Sequence, residues 1–354
     1  MRQQISQILE NSQFAFEKIK RRLGIINPIY PLPKFIIFEP TMRCNLNCSF
    51  CYQEKKSDLK YNELGVDKLK ILFNHLPNTV KTILLIGGEI FIYPYIWDLL
   101  SICKERHYRV ELCTNGTMIT ENIKKKLIAY SEIIDMIGIS IDGISFNDKI
   151  RGNGTLRKSV DNIKAIRKYF NISTNTIVVK ENIGEILSTC EFIKNELNPN
   201  LMQFQFLQFS TNKEIMKTKE IIGEEIYYDQ LVGDYARAYD YYGIKALLKE
   251  IYDKAKRNNI RAVFKPNLSG SYFKEFWIEQ YSSGRILSCM GLKAARINFR
   301  GELNICPFIR NPLGSLLDYP LENIWNSERF LHWRNKILSN RLLLPLCSRC
   351  CKLN

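Results

Sequence analysis

The chain has 354 residues, 45% hydrophobic and 25% charged, with a formal net charge of +15. This is room for an α/β barrel of roughly 250 residues plus an appendage, in a composition ordinary for a globular protein. No stretch reaches the ~18 uncharged apolar residues that a membrane-spanning helix needs, and the N-terminus lacks a basic run followed by an apolar one. Neither a membrane-spanning helix nor a secretory signal is therefore expected, and the expected location is cytoplasmic.

In chain order, residues 4–24 place Ile5, Ile8, Leu9, Phe16, Ile19 and Leu23 at helical spacing, which predicts an amphipathic helix stopped by Gly24. A proline-rich linker, "NPIYPLPK", follows. Short apolar runs then recur at 35–38, 82–86, 109–113, 136–141, 172–179 and 201–209. Helix-length segments such as "VDKLKILFNHL", "YIWDLLSICKERH" and "IGEILSTCEFIKNEL" separate them. Strands alternating with helices predict βαβ units, hence an α/β fold: a partial (β/α)6, TIM-like barrel with its site at the strands' C-terminal ends. After residue 210 the chain turns charged and tyrosine-rich. A helix from Ile244 to Asn258 is placed against the last barrel strand, and "IRAVFKP" reads as one more short strand. The expected division is 1–34, helix and linker; 35–210, barrel core; 211–285, a helical region completing the barrel and contacting substrate; 286–354, a cysteine-bearing extension.

The eleven cysteines carry the chemistry. Cys103, Cys113 and Cys190 stand alone among apolar neighbours and read as small buried hydrophobes. Cys44, Cys48 and Cys51 fall within eight residues, in "CNLNCSFC". Thiolates suit zinc or iron–sulfur clusters, but structural zinc wants four ligands, and no histidine lies nearby. Three cysteines on a four-iron cluster leave one iron open to an external molecule.

This C-x3-C-x2-C loop, with Phe50 before its last cysteine, follows the first strand and resembles the cluster loop of the radical S-adenosylmethionine superfamily. The resemblance implies a 4Fe-4S cluster whose open iron is chelated by the amino and carboxylate groups of S-adenosylmethionine. One electron then cleaves the sulfonium to a 5′-deoxyadenosyl radical that takes hydrogen from a substrate. "LLIGGE" resembles the family's Gly-Gly-Glu turn. Gly87 and Gly88 are expected to allow close approach of the backbone, and Glu89 to accept from the cofactor's ammonium. Ile90 stands where the family often has proline. "CTNGT" and "SIDG" end the third and fourth strands. Asn115, Ser140 and Asp142 thus match positions that touch the ribose and carboxylate of the cofactor, with Asn182 a further candidate and Phe50 near the adenine. Turn formation explains Asn115 and Asp142 equally well.

The tail, with "CMGLKAARINFRGELNICP" and "LCSRCC", resembles the family's SPASM/twitch extension. Gly301 is expected at a hairpin turn. The cysteines suffice for one auxiliary 4Fe-4S cluster, held by Cys289, Cys306, Cys347 and Cys350 or Cys351. Zinc remains open on spacing alone. The resemblance implies a radical enzyme, an oxidoreductase or maturase, with an electron donor such as flavodoxin or ferredoxin. Substrates in this branch include peptides, protein side chains, sugars and tetrapyrroles. The positive charge favours an anionic substrate. Because basic residues are scattered and not interleaved with aromatics, nucleic acid is not the expected partner; peripheral membrane contact stays open. The competing reading is a non-catalytic iron–sulfur carrier or redox sensor. No residue is assigned as a catalytic acid or base.

Overall fold

The structure, a computed structural model, describes residues 29–51, 62–227, 241–257, 261–266, 289–339, 344–347 and 350. The expected N-terminal helix, Cys351 and much of the tyrosine-rich region lie outside these residues.

Seven strands form a parallel run in sequence order: β1 (Phe35–Phe38), β2 (Thr82–Leu85), β3 (Arg109–Thr114), β4 (Ile134–Ser140), β5 (Ile172–Val178), β6 (Leu201–Phe206) and β7 (Ala262–Lys265). Helices Val66–Asn74, Ile96–Glu105, Glu121–Ile128, Thr155–Ile166 and Ile186–Leu197 supply the first five crossovers, and Tyr241–Arg257 precedes β7. The βα rhythm and the additional strand at "IRAVFKP" are thus present. The sixth strand is shorter than its apolar run: Leu207 still donates to the Val178 carbonyl, then the chain leaves the ladder.

Ring contacts identify the face that the helices cover. Phe38 meets Phe73 of the helix Val66–Asn74 at 6.4 Å, and Phe264 meets Tyr252 of the helix Tyr241–Arg257 at 4.8 Å and Phe204 at 5.0 Å. Ile36, Ile83, Val110, Leu112, Ile137 and Ile139 share that face and are 0–1% exposed. Because side chains alternate along a strand, the intervening residues face the concave interior. Cys103 and Cys190 are buried as expected. Cys113 is the exception: it lies on the interior face, half-buried opposite Gly138, because it alternates with Leu112 and Thr114.

The extension continues this same sheet. Strands β8 (Ala295–Ile297) and β10 (Pro312–Ser315) each pair antiparallel with β9 (Glu302–Asn304) between them, but β8 runs parallel to β1 and extends the sheet to ten strands. Gly301 makes the β8–β9 turn at φ +81°, where Asn298 Oδ1 accepts from the amides of Arg300 and Glu302. A buried ion pair crosses the seam: Arg296 Nη1 lies 2.7 Å from Glu39, just past β1. The linker is docked on the extension as well. Asn326 holds the Tyr30 backbone from both sides, and Trp325 donates to the Pro31 carbonyl. Among the described residues, no helix is long and apolar enough to cross a membrane.

Candidate functional site

The loop after β1 carries Cys44, Cys48 and Cys51, all half-buried. It lies against the turn after β2, where Gly88 donates to the Thr41 carbonyl (2.9 Å) and Glu89 to the Arg43 carbonyl (2.8 Å). A Cβ at Gly87 or Gly88 would overlap the carbonyl oxygen of Thr41 or Arg43. The two glycines therefore permit backbone approach, but the approaching chain is the cysteine loop itself.

Glu89 is fully buried. Its carboxylate accepts from Thr114 Oγ1 (2.7 Å) and the Asn115 amide (2.8 Å), with a longer contact from the Phe91 amide (3.4 Å). Burial raises its pKa, and those three donors pull against the rise. Glu89 thus ties the end of β2 to the end of β3, leaving little lone-pair capacity for a further donor.

Asn115 turns its side chain toward the loop. Its Nδ2 donates to Asn45 Oδ1 (2.9 Å) and points at Cys44 Sγ (3.9 Å), while its Oδ1 accepts from Thr117. The Leu46 amide also donates to Cys44 Sγ, at 3.4 Å.

Asp142, just past β4, is fully buried. It accepts from the Ile177 amide (2.8 Å) and from Arg151 Nε (2.6 Å). Asn182 donates to the carbonyls of Asp142 and Ile177, each at 2.7 Å, and accepts from the Val179 amide. Both side chains are spent within the protein, Asp142 on holding Arg151 and Asn182 on fixing the loop around Asp142. Ser140, half-buried on the interior face at the end of β4, is the more available of the strand-end group.

The residue that sequence reasoning missed is Arg151, the last residue of the helix Phe146–Arg151. Its guanidinium is paired with Asp142, extends Nη1 to within 3.8 Å of Cys48 Sγ and lies 5.9 Å from the Phe50 ring. Burial lowers its pKa, but Asp142 and the Cys48 and Cys51 sulfurs outweigh this, so the net shift is upward. In "FNDKIRGNG" it looks like an ordinary basic residue at a helix end. The only available signal was the fully buried aspartate it needed to neutralise.

In the extension Cys289, Cys306 and Cys347 are close enough for neighbouring thiols to raise the pKa of Cys289 and Cys347, and the Cys350 backbone joins that of Cys347. The first three pack against the hydrophobic core, and Cys350 is 6% exposed, its amide donating to the Cys347 carbonyl. A Cβ at Gly291 would overlap the Ile305 carbonyl, so glycine lets the turn after Cys289 close on the strand leading to Cys306. Burial and the neighbouring Cys306 push the Cys289 thiol up to about 11; Cys347 is pushed up strongly by burial and by both other thiols. Burial and mutual repulsion among these thiols outweigh the Lys293 ammonium and the Gly291 and Leu292 amides at Cys289, and a bound iron–sulfur core would supply the further positive charge that thiolates need. At the barrel mouth, N–H groups and a guanidinium already aimed at sulfur suit thiolates bound to a cluster. Both donor sets fit the groups expected of them. Among the described residues, no three His, Cys, Asp or Glu side chains converge on a single metal-ion position.

Comparison with known proteins gives the same two regions. The radical SAM superfamily matches residues 38–193, and an iron–sulfur cluster-binding domain, SPASM, matches residues 289–351. An AdoMet-dependent heme synthase of Methanosarcina barkeri (strain Fusaro / DSM 804) is 34% identical over 46% of this chain and 47% of its own length. The antilisterial bacteriocin subtilosin biosynthesis protein AlbA of Bacillus subtilis (strain 168) is 28% identical over 47% of this chain and 38% of its own. The chain thus spans about half the length or less of these curated relatives. Streptococcus suis SuiB bound to S-adenosylmethionine superposes with a TM-score of 0.65 at 17% identity, covering 98% of this chain and 77% of SuiB; that protein has also been solved bound to its precursor peptide SuiA. The chain belongs to the radical SAM superfamily, in its SPASM branch, with S-adenosylmethionine, a 4Fe-4S cluster and an auxiliary iron–sulfur cluster as its cofactors.

Proposed function

We propose that the chain is a radical enzyme acting on a peptide or small natural-product precursor, with electrons from a flavodoxin- or ferredoxin-like donor. One observation carries this reading: the three half-buried thiols at the barrel mouth face N–H donors from Asn115, Leu46 and Arg151. When bound, the cluster and S-adenosylmethionine supply one-electron cleavage of the sulfonium and, through it, the power to take a hydrogen atom from substrate. Cys44, Cys48 and Cys51 would hold the cluster, Ser140 and Asn115 the cofactor's polar groups, and Phe50 its adenine. Arg151, held by Asp142, would receive the cofactor's carboxylate, because a buried guanidinium with an N–H directed at the cluster loop can pair with an anion there. Cys289, Cys306, Cys347 and Cys350 would hold the auxiliary cluster with no position open, which suits electron transfer. The relatives' names support both halves of this substrate class: one is a heme synthase, another a bacteriocin biosynthesis protein, and SuiB binds a precursor peptide.

The test is anaerobic reconstitution with iron and sulfide, reduction, addition of S-adenosylmethionine and quantification of 5′-deoxyadenosine. Wild type is expected to produce it and Cys48→Ala to lose it. Full iron loading with no 5′-deoxyadenosine from wild type would overturn the reading.

A further inference from the structure

Arg151 stands at the end of a helix too short to hold itself in place. Phe146–Arg151 has six residues, fewer than two turns, and an isolated helix of that length is unstable in water. What fixes the guanidinium near Cys48 therefore lies outside the helix. Near its middle, the Asp148 carboxylate accepts from the amides of Gly154 (2.7 Å) and Leu156 (2.8 Å) and from Thr155 Oγ1 (3.1 Å). These bonds join the helix to the one that follows. Asn147 Oδ1 accepts from the Asp142 amide (3.1 Å) and closes the turn between β4 and the helix.

The start of the helix is held from a different strand. Ser145 is its N-terminal cap residue, yet the Ser145 side chain accepts no bond from the helix. The hydroxyl donates instead to Glu185 Oε2 (2.8 Å), in the turn after β5, and the same oxygen accepts from the Ser145 amide (3.0 Å). Glu185 Oε1 accepts from the Phe146 amide (2.9 Å). One carboxylate thus takes up two amides that have no partner within the helix, at the end where the helix dipole favours negative charge. Gly143, in the turn after β4, makes room for it. A Cβ there would lie 2.0 Å from Glu185 Oε1, and φ is +156°. The Glu185 amide in turn donates to the Asn182 carbonyl (3.0 Å), and Asn182 Nδ2 holds the Asp142 carbonyl. The segment after β5 therefore grips both the aspartate that pairs with Arg151 and the start of the helix that carries it.

We infer that Glu185 is a positioning residue for the cluster site: through the helix Phe146–Arg151 it sets where the Arg151 guanidinium stands beside Cys48. Two consequences follow from that placement. A guanidinium with an N–H near a ligand sulfur stabilises the more negative, reduced state of a bound cluster, and so raises its potential. The same guanidinium would meet the cofactor's carboxylate. A helix shift of about 1 Å weakens both while the cysteines stay in place. The inference rests on the proposed function for the cofactor's place beside Arg151.

The test is a double-variant cycle on the reconstituted full chain. It is read by S-adenosylmethionine affinity in equilibrium dialysis and by the midpoint potential of the cluster without S-adenosylmethionine. Glu185→Ala is expected to weaken affinity about fivefold or more, by the same misplacement, and to lower the potential while iron content holds. Glu185→Gln, which keeps one acceptor oxygen, should fall between it and wild type. Gly143→Ala, which displaces the carboxylate without removing it, should act in the same direction. Arg151→Met weakens affinity and lowers the potential too, and adding Glu185→Ala to it should change neither further. Glu196→Ala, an exposed carboxylate paired with Lys164 on the helix Ile186–Leu197, is expected to change nothing. Wild-type affinity and potential in Glu185→Ala overturn the inference. So does an equal further loss in the Arg151→Met background, which marks a merely structural role, or an Arg151→Met variant unchanged in both readouts. If Glu185→Ala loses iron, Glu185→Gln carries the same comparison. Arg151→Met with unchanged affinity but a lowered potential breaks the proposed cofactor contact and leaves Glu185 positioning the guanidinium on Cys48. A wild type that binds S-adenosylmethionine without forming 5′-deoxyadenosine breaks the proposed reaction alone.

Discussion

At the barrel mouth, Cys44, Cys48 and Cys51 are half-buried on a loop between strands, and N–H groups of the loop's own Leu46 and of two other segments, at Asn115 and Arg151, approach the Cys44 and Cys48 sulfurs. In the extension, Cys289, Cys306 and Cys347 pack against the hydrophobic core, and Cys289 and Cys347 are forced toward the neutral thiol. The first set has a paired guanidinium beside Cys48 and Cys51. The second has apolar walls, where burial and mutual repulsion outweigh the Lys293 ammonium and the Gly291 and Leu292 amides at Cys289. The proposed reading assigns these similar ligands to an exchange site in one place and a closed electron-transfer site in the other.

The largest expected effect tests that contrast. Cys306→Ala should remove the extension's share of bound iron and markedly lower the melting temperature, because Phe308 donates to this sulfur and the surrounding residues join the core. Cys44→Ala should remove a similar share of iron with a much smaller thermal shift. Equal shifts in the two variants, measured beside iron content, would dissolve the distinction between the sites.

Next is the seam between the regions. Arg296→Met leaves Glu39 buried without its close counter-ion, at a cost of about 3–5 kcal/mol in denaturant unfolding. Arg310, 3.9 Å from the other Glu39 oxygen, offsets part of this. Glu39→Gln combined with Arg296→Met should recover much of the loss. If the double variant is no better than the single, the pair is not what joins β8 to β1.

Arg151→Lys ranks third. A lysine keeps the charge but cannot contact Asp142 and Cys48 together, since it lacks the planar fork. Losing one hydrogen bond to a charged group corresponds to about 1.5–3 kcal/mol. S-adenosylmethionine affinity, measured by equilibrium dialysis on the reconstituted chain, should fall tenfold or more while iron content holds. Unchanged affinity would remove Arg151 from the cofactor site.

The residues behind these predictions were unequally legible in the sequence. The strands announced themselves as β-branched runs between amphipathic helices, and the cysteine loop, Gly301 and the strand-end polar residues are local patterns. Long-range pairing left no such trace. Glu39 and Arg296 lie 257 residues apart, and nothing in "RINF" says that it will lie parallel to β1. Gly87, Gly88 and Asp142 were visible as special, but their partners were not. Each is matched to another part of the chain, Thr41, Arg43 or Arg151.

The smallest expected effect concerns Glu89, where the mouth's charge balance is most finely set. Burial raises its pKa in the folded chain despite donation from Thr114, Asn115 and Phe91. A carboxyl whose folded pKa lies above its unfolded value contributes stability that is full below the unfolded pKa and is lost as pH rises through the folded one. Glu89→Gln removes that term and keeps the shape, at the price of a pH-independent mismatch where its NH2 meets an N–H or O–H donor. In the cluster-free chain, the melting difference between variant and wild type should therefore move in the variant's favour from pH 4.5 to 7.5. Parallel profiles would mean that water reaches the carboxylate. Reconstitution sharpens the point: if the bound cofactor's ammonium approaches Glu89, S-adenosylmethionine should stabilise wild type more at pH 7.5 than it stabilises Glu89→Gln. Equal stabilisation would leave Glu89 as the tie between β2 and β3 and assign the ammonium to other acceptors.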